Sequence, residues 1–264
     1  MANIVVVGLG YVGLTTMVGL ASLGHRVLGL DVSESKVSQV ESGDVPFFEE
    51  GLSEALDKLT ESEFVSFSSS YDRIDESYDF AFICVSTPQA LSGAADLSMV
   101  ESAIKSLTQV LSPGSIIVMK STVPVGTCSS LANQLSDLNL QIVSNPEFLA
   151  EGRALQDFAN PSRIVVGSEG LQTSEKVMNL YRDIECPKMT CELVDAELIK
   201  HASNAFLALK LSFVNEVAAL CEAVGADVST VTSGMALDSR IGNRFLQPGP
   251  GWGGSCFPKD SQAL

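Results

Sequence analysis

Lys200 and Asn204, in ELIKHASNAFLALK, stand four residues apart, and Cys256 sits in the glycine-dense run GPGWGGSCFPKD at 249–260, just before Pro258, Lys259 and Asp260. A Lys and an Asn at i and i+4 share one helix face. Aimed into a cleft, that ammonium and amide can hold a hydroxyl or a developing alkoxide; on an exposed face they are only a solvated polar pair. Glycines at the density of 249–254 permit close backbone approach to a ligand. A free thiol of pKa about 8.5 is only about 3% thiolate at pH 7, so a cation such as Lys259 or Lys200 beside Cys256 would make it a better nucleophile. The other cysteines, Cys84, Cys128, Cys186, Cys191 and Cys221, read as small buried hydrophobes.

A second constellation lies at the N-terminus. Gly8, Gly10 and Gly13 in GLGYVGLTTMVGLASLG follow the apolar run IVVV, and Asp31 comes 18 residues after Gly13. A lone GxGxxG is a weak signal, but between a strand and a helix, with an acid ending the next strand, it is the dinucleotide fingerprint. The pyrophosphate sits on the helix N-terminus and the acid on the adenosine ribose. An acid at 31 repels a 2′-phosphate and favours NAD over NADP, with Lys36 as a minor countersign. The alternative is a tight turn holding no nucleotide. His25 and His201 are the only histidines. His25 reads as a solvated loop residue after Gly24 and His201 as an incidental polar position, so the base of an alcohol oxidation falls to another residue.

These groups must be positioned by a scaffold of 264 residues, 45% hydrophobic and 18% charged, long enough for a substantial core. The net charge of −16 argues against nucleic acid, which needs clustered Lys and Arg. MANIVVVGLG runs straight into a strand and reads as no signal peptide, and no apolar run reaches a membrane span of about 18–20 residues. Scattered cysteines without CxxC pairs or nearby His imply no metal site and a reduced, cytoplasmic protein. Apolar β-rich runs at 3–8, 26–31, 64–68, 79–86, 115–121, 141–144 and 163–168 alternate with amphipathic stretches such as 97–111 and 173–184. That alternation predicts a Rossmann-like, doubly wound parallel sheet. After about residue 190 the strand pattern stops. Leu198, Ala202, Phe206, Leu209, Phe213, Val217, Leu220 and Val224 then form one stripe, with Leu207, Leu211 and Val214 opposite. They predict a spine helix over 193–224, buried on two faces, within a small all-α region. The expected division is 1–190 for the dinucleotide-binding domain and 191–264 for a central helical dimerisation and catalytic region.

Six segments, VVGLGYVGL (6–14), CVSTP (84–88), KSTVPVGT (120–127), NPEFLAEGRALQDF (145–158), ELIKHASNAFLALKLSFVNE (197–216) and DSRIGNRFLQPGPGWGGSCFPKD (238–260), run in this order along essentially the whole chain. Jointly they are specific, and the chain resembles the UDP-glucose/GDP-mannose dehydrogenase family. RIGNRFLQPGPG and GGSCFPKD lean toward its UDP-glucose-oxidising members. The resemblance implies a four-electron, NAD-dependent oxidation of UDP-glucose to UDP-glucuronate for polysaccharide biosynthesis, through a thiohemiacetal and a thioester on Cys256. It implies oxyanion stabilisation by Lys200 and Asn204, a water or proton transfer served by Asp260 and Thr122, and thioester hydrolysis assisted by Glu147. The base of the first oxidation stays open between Lys200 and a water held by Asp260.

By the same resemblance NAD lies on Gly8, Gly10, Tyr11, Val12, Gly13, Asp31, Lys36, Ser86, Thr87, Pro88, Thr122, Glu151 and Lys259. The sugar nucleotide lies on Glu147, Phe148, Leu149, Glu151, Lys200, Asn204, Arg240, Phe245, Leu246, Gly249 and Gly253. A homodimer through the long helix is implied, since in relatives the residue matching Arg240 can reach a neighbouring subunit's substrate. The family carries a further nucleotide-binding α/β domain after the Cys loop, whereas this sequence ends at Leu264. A truncated form that binds NAD but turns over slowly or not at all is therefore expected, because remote binding energy is missing. The alternatives are a GDP-mannose or UDP-N-acetylhexosamine dehydrogenase, a two-electron β-hydroxyacid-type dehydrogenase that needs no Cys loop, or a non-catalytic NAD-binding and dimerisation module.

Overall fold

The apolar runs become strands whose side chains point alternately into two separate cores. Ile4 and Val6 of β1 (Asn3–Val7) pack with Leu14, Met17 and Val18 of α1 (Tyr11–Ser22). Val5 and Val7 join the opposite core with Val100, Ile104 and Leu107 of α4 (Ser98–Leu107) and Leu131 of α5 (Thr127–Leu135). A strand buried on both faces needs helices on both, which is why these runs are continuously apolar. The computed structural model describes residues 1–90, 93–251 and 253. Its remaining strands are β2 (Arg26–Leu30), β3 (Val65–Ser68), β4 (Phe80–Ile83), β5 (Ile116–Met119), β6 (Gln141–Ser144), β7 (Ile164–Gly167) and β8 (Lys188–Cys191). Its remaining helices are α2 (Glu34–Glu41), α3 (Leu52–Glu61), α6 (Ala154–Ala159), α7 (Leu171–Leu180), α8 (Leu193–Val224) and α9 (Val228–Ala236).

The strands form one sheet in the order β3-β2-β1-β4-β5-β6-β7-β8. The first six run parallel, the doubly wound arrangement, and the order reverses direction between β1 and β4. One junction departs from the expected all-parallel sheet: β6 and β7 meet antiparallel at Ser144 and Gly167, and β8 then pairs parallel to β7. β8 is a strand that the hydropathy pattern did not show. It is a sheet edge whose first three residues, Lys188, Met189 and Thr190, are exposed, so burial left no apolar run to read.

His25 also departs from expectation. It is buried rather than solvated, its Nδ1 accepting from the Ala2 N–H (3.2 Å) and its Nε2 lying 3.0 Å from the Leu180 carbonyl.

The chain divides into two compact units, 1–88 with 95–197, and the described residues of 89–94 and 198–264. In the second, α8 continues as a single helix to Val224, as the stripe predicted. Asp227 caps α9 by accepting from the Thr230 N–H (2.8 Å). The stripe itself is not covered by the described residues: Phe206, Leu209, Phe213 and Leu220 are 53–65% exposed. The buried face of α8 is the one carrying Lys200, His201, Asn204, Ala208, Val214 and Cys221. Among the described residues no helix is long and apolar enough to cross a membrane.

Candidate active site

The three glycines are needed for three different reasons. Gly8, directly after β1, has φ +96°, and a Cβ there would lie 2.8 Å from the Cys84 carbonyl oxygen at the end of β4. Gly13 sits against the loop itself, where a Cβ would come within 1.7 Å of the Gly8 carbonyl oxygen. Gly10 touches nothing within 4 Å of its would-be Cβ. The open position directly precedes α1, whose first turn has neither a side-chain cap nor an acidic residue. Uncapped N–H groups beside bare backbone, at the strand-order reversal, form a cradle that fits a pyrophosphate. Tyr11 and Val12 open that helix.

Asp31 ends the next strand, 7% exposed. Its Oδ2 accepts from the Leu9 N–H (2.9 Å) and the Lys36 ammonium (2.7 Å), and its Oδ1 from the Ser33 N–H (3.1 Å). Burial opposes its charge, but Lys36 and the two amides prevail and hold its carboxyl below the usual carboxylate range. The acid that would hold a ribose hydroxyl is thus ionised and bonded to the glycine loop. Lys36, drawn onto Asp31, reinforces that arrangement.

The loops after β4, β5 and β6 gather at the same edge of the sheet. The Thr87 hydroxyl donates to the Thr122 carbonyl (2.9 Å), tying CVSTP to KSTVPVGT. Thr87 is buried, while Ser86 and Pro88 are exposed beside it. Glu147 is 8% exposed, and its Oε2 accepts from the Leu149 N–H (2.6 Å). Behind it Asn145 donates to the Val165 carbonyl (2.7 Å) and accepts from the Tyr181 hydroxyl (2.8 Å), which fixes the start of NPEF. Phe148 lies under the Arg163 guanidinium, 3.7 Å from ring centroid to Cζ, beside a cavity of about 40 Å³ lined by Lys120, Glu147 and Leu149. Burial lowers the Arg163 pKa. Glu151, on the exposed turn after Ala150, completes the predicted residues of this unit. Burial pushes the neighbouring Cys84 thiol up to about 12 against the pull of Lys120, so it is an inert packing group.

In the second unit Lys200 and Asn204 share the buried face of α8, 4% and 7% exposed. The sequence left them between a cleft pair and a surface pair, and burial excludes the surface pair. Arg240 is exposed and chelated by Asp238 (2.6 Å from Nη2 to Oδ2). Phe245 has φ +62° and Leu246 is buried. The Gly249 N–H donates to Asn215 Oδ1 (2.9 Å), which ties the start of the glycine-dense run to α8. Gly253 is exposed. Cys256, Lys259 and Asp260 lie outside the described residues.

Two carboxylates went unnoticed in the sequence. Glu49 is 6% exposed and accepts from the Gly152 N–H (3.1 Å) and the Ala154 N–H. Glu197 is 3% exposed and accepts from the Gly126 N–H (2.6 Å) and the Cys128 N–H (2.8 Å). The only available signals were Glu49 beside the Gly51 turn and Glu197 three residues before Lys200, neither of which names a partner. The Tyr11 hydroxyl, not just its backbone, is also engaged: it donates to the Ala150 carbonyl (2.8 Å). Burial and the Glu49 carboxylate raise its pKa well above the usual phenol range.

Residues 2–185 match the UDP-glucose/GDP-mannose dehydrogenase family, NAD binding domain, and residues 194–264 match the central domain of the same family. The chain is 42% identical to the UDP-glucose 6-dehydrogenase YwqF of Bacillus subtilis over 99% of its own length and 61% of the relative's. It is 46% identical to an uncharacterised protein of Methanocaldococcus jannaschii over 98% of its length and 30% of that protein's. Among solved structures, a UDP-glucose dehydrogenase from the hyperthermophilic archaeon Pyrobaculum islandicum superposes with a TM-score of 0.93 at 41% identity, over 100% of this chain and 63% of that one. The chain therefore spans about three-fifths of the length of the named dehydrogenases it matches. NAD is the cofactor that its glycine loop and Asp31 fit. By two consecutive domain matches and by fold, the chain belongs to the UDP-glucose/GDP-mannose dehydrogenase family.

Proposed function

We propose that the chain is the NAD-binding and central portion of a UDP-glucose 6-dehydrogenase, oxidising the sugar's primary alcohol to the carboxylate. The observation that carries this reading is the burial of Lys200 and Asn204 together on one face of α8, in a chain whose first domain is an NAD-binding domain. A buried ammonium and amide side by side suit a developing alkoxide. UDP-glucose is preferred because relatives named for it share 41–42% of their residues with this chain, against 30% for a GDP-mannose dehydrogenase from Pseudomonas aeruginosa.

NAD bound on Gly8–Gly13, with Asp31 on its adenosine ribose, supplies the acceptor for a hydride, and two equivalents account for the four electrons between alcohol and acid. The chain's residues do the rest. Lys200 and Asn204 stabilise the substrate oxygen as its proton leaves. The Cys256 sulfur adds to the aldehyde carbon, and the carbonyl oxygen takes a proton to give a thiohemiacetal. Loss of a second hydride and that hydroxyl proton leaves a thioester. Water, activated by Glu147 or held by Asp260 and Thr122, displaces the Cys256 thiol and forms the acid. Phe148, Leu149 and Glu151 line the sugar-nucleotide side, with Arg240 and the 245–253 loop. A homodimer is supported by the uncovered apolar face of α8, formed by Phe206, Leu209, Phe213 and Leu220.

The test is the number of NADH formed per limiting UDP-glucose by the whole enzyme of which this chain is proposed to be a portion. Two support the reading and place Cys256 in it. One reduces the reaction to alcohol oxidation. None moves the assignment to GDP-mannose, UDP-N-acetylhexosamines, or a module that binds NAD without turnover.

A further inference from the structure

We infer that Glu49 is a positioning residue for the sugar-nucleotide side of the site: it holds the backbone of 152–154 and so sets where Phe148, Leu149 and Glu151 stand beside the dinucleotide loop. The inference rests on the proposed function of those three residues. Glu49 lies between α2 and α3, in DVPFFEEG. Its carboxylate is almost wholly removed from water, yet it forms no ion pair among the described residues. It accepts from two backbone N–H groups, 103 and 105 residues further along the chain, and the Tyr11 hydroxyl lies beside it. A buried carboxylate that takes its backbone donors from a remote segment ties that segment down.

That segment is unusual in how its amides are satisfied. The N–H groups of Leu149, Ala150, Gly152 and Ala154 each donate to a carboxylate: Glu147, Asp157, and Glu49 for the last two. Glu147 and Asp157 lie on the segment's own flanks, and these two bonds shape it internally. Glu49 comes from outside it and fixes its place. Gly152 has φ +86°, so the chain reverses where Glu49 takes hold. A second external tie arrives from the glycine-loop helix, where the Tyr11 hydroxyl donates to the Ala150 carbonyl (2.8 Å), and Tyr11 in turn packs edge-on against Phe47, two residues before Glu49. The dinucleotide loop, the 47–49 segment and the 148–154 segment therefore form one braced corner of the first unit.

The experiment compares Glu49→Gln and Glu49→Ala with the native chain. Amide exchange at Gly152 and Ala154 is read site by site, and affinities are titrated for NADH alone and for UDP-glucose in the presence of NADH. Glutamine keeps one acceptor oxygen but turns an NH₂ donor toward the other amide, so it stays folded if alanine does not. The expected result is exchange at Gly152 and Ala154 at least about tenfold faster, UDP-glucose binding weakened about tenfold and NADH affinity within about twofold, with glutamine intermediate. Tyr11→Phe should loosen the same segment more mildly. Unchanged exchange at both amides overturns the inference. So does faster exchange with undiminished UDP-glucose affinity, or an equal loss of NADH affinity, since each reduces Glu49 to general support. With every titration made in the whole enzyme of which this chain is proposed to be a portion, native protein that binds NADH but no sugar nucleotide overturns the functional reading itself, and the positioning role falls with it.

Discussion

Glu197 is bound to Cys128 across the start of two helices: its carboxylate accepts from the Cys128 N–H at 2.8 Å and the Gly126 N–H at 2.6 Å, capping α5 with a side chain from α8. A carboxylate at a helix N-terminus meets both the unsatisfied N–H groups and the positive end of the dipole. The same contact pushes Cys128 well above the usual thiol range, burial being the larger cause and the Glu197 charge the second. Lys200 follows one turn later on α8, so the helix is anchored immediately before the residue proposed to stabilise the substrate oxygen.

Replacing Glu197 with alanine leaves the buried Cys128 N–H and the half-buried Gly126 N–H without an acceptor. The expected loss of stability is about 3 kcal/mol, and about half that for Glu197→Gln, which retains one acceptor. Urea denaturation of both variants against the native chain measures it.

The glycine loop predicts a dissociation between folding and binding. Gly13→Ala places a methyl group into the Gly8 carbonyl and should destabilise the fold itself. Gly10→Ala meets nothing in this chain, and its extended backbone accepts alanine, so its melting temperature should stay within about 2 °C. NAD affinity should nevertheless fall at least about tenfold, because the methyl occupies the phosphate's approach. Thermal melts paired with NAD titrations separate the two.

Asp31 carries a pH signature with a definite sign. Its folded pKa is depressed, so its contribution to stability is fully present above the unfolded value of about 4 and is lost as pH falls through the folded value. Asp31→Asn should therefore be less stable than the native chain at pH 7, with the gap closing below about pH 4. The same variant should bind NAD about 10- to 100-fold more weakly at pH 7. Denaturation at a series of pH values checks the first statement, and fluorescence titration the second.

The apolar stripe of α8 predicts an oligomer that one charge can break. Phe213 is 53% exposed and central in the stripe. Phe213→Glu should weaken self-association at least about 30-fold, the magnitude expected for a buried aromatic at an interface centre. Light scattering across a dilution series reads the change. A native chain that remains monomeric at high concentration overturns the dimer.

Much of this arrangement was legible because burial writes itself into residue type. Val5 and Val7 face one core and Ile4 and Val6 the other, so β1 could only be a strand covered on both sides. The span of α8 was readable from a stripe whose spacing held to Val224, although that stripe lies uncovered where burial on two faces was expected. What stayed hidden depends on partners far away in the chain. Nothing local distinguishes Glu49 from the adjacent Glu50, yet only Glu49 is buried against remote amides. His25 looked solvated for the same reason, since its partners are Ala2 and Leu180. Edge strand β8 escaped because hydropathy reports burial and an exposed edge has little.

The bonds of Glu49 and His25 also constrain the order in which the protein can assemble on the ribosome. Both lie in the first fifty residues, yet the His25 Nε2 pairs with the Leu180 carbonyl and the Glu49 carboxylate takes its backbone N–H donors from Gly152 and Ala154. A nascent chain that has released β1, α1 and β2 cannot close around these groups without burying them unpaired, at a cost of several kcal/mol. The N-terminal half must therefore wait, open or only partly collapsed, until α7 has emerged.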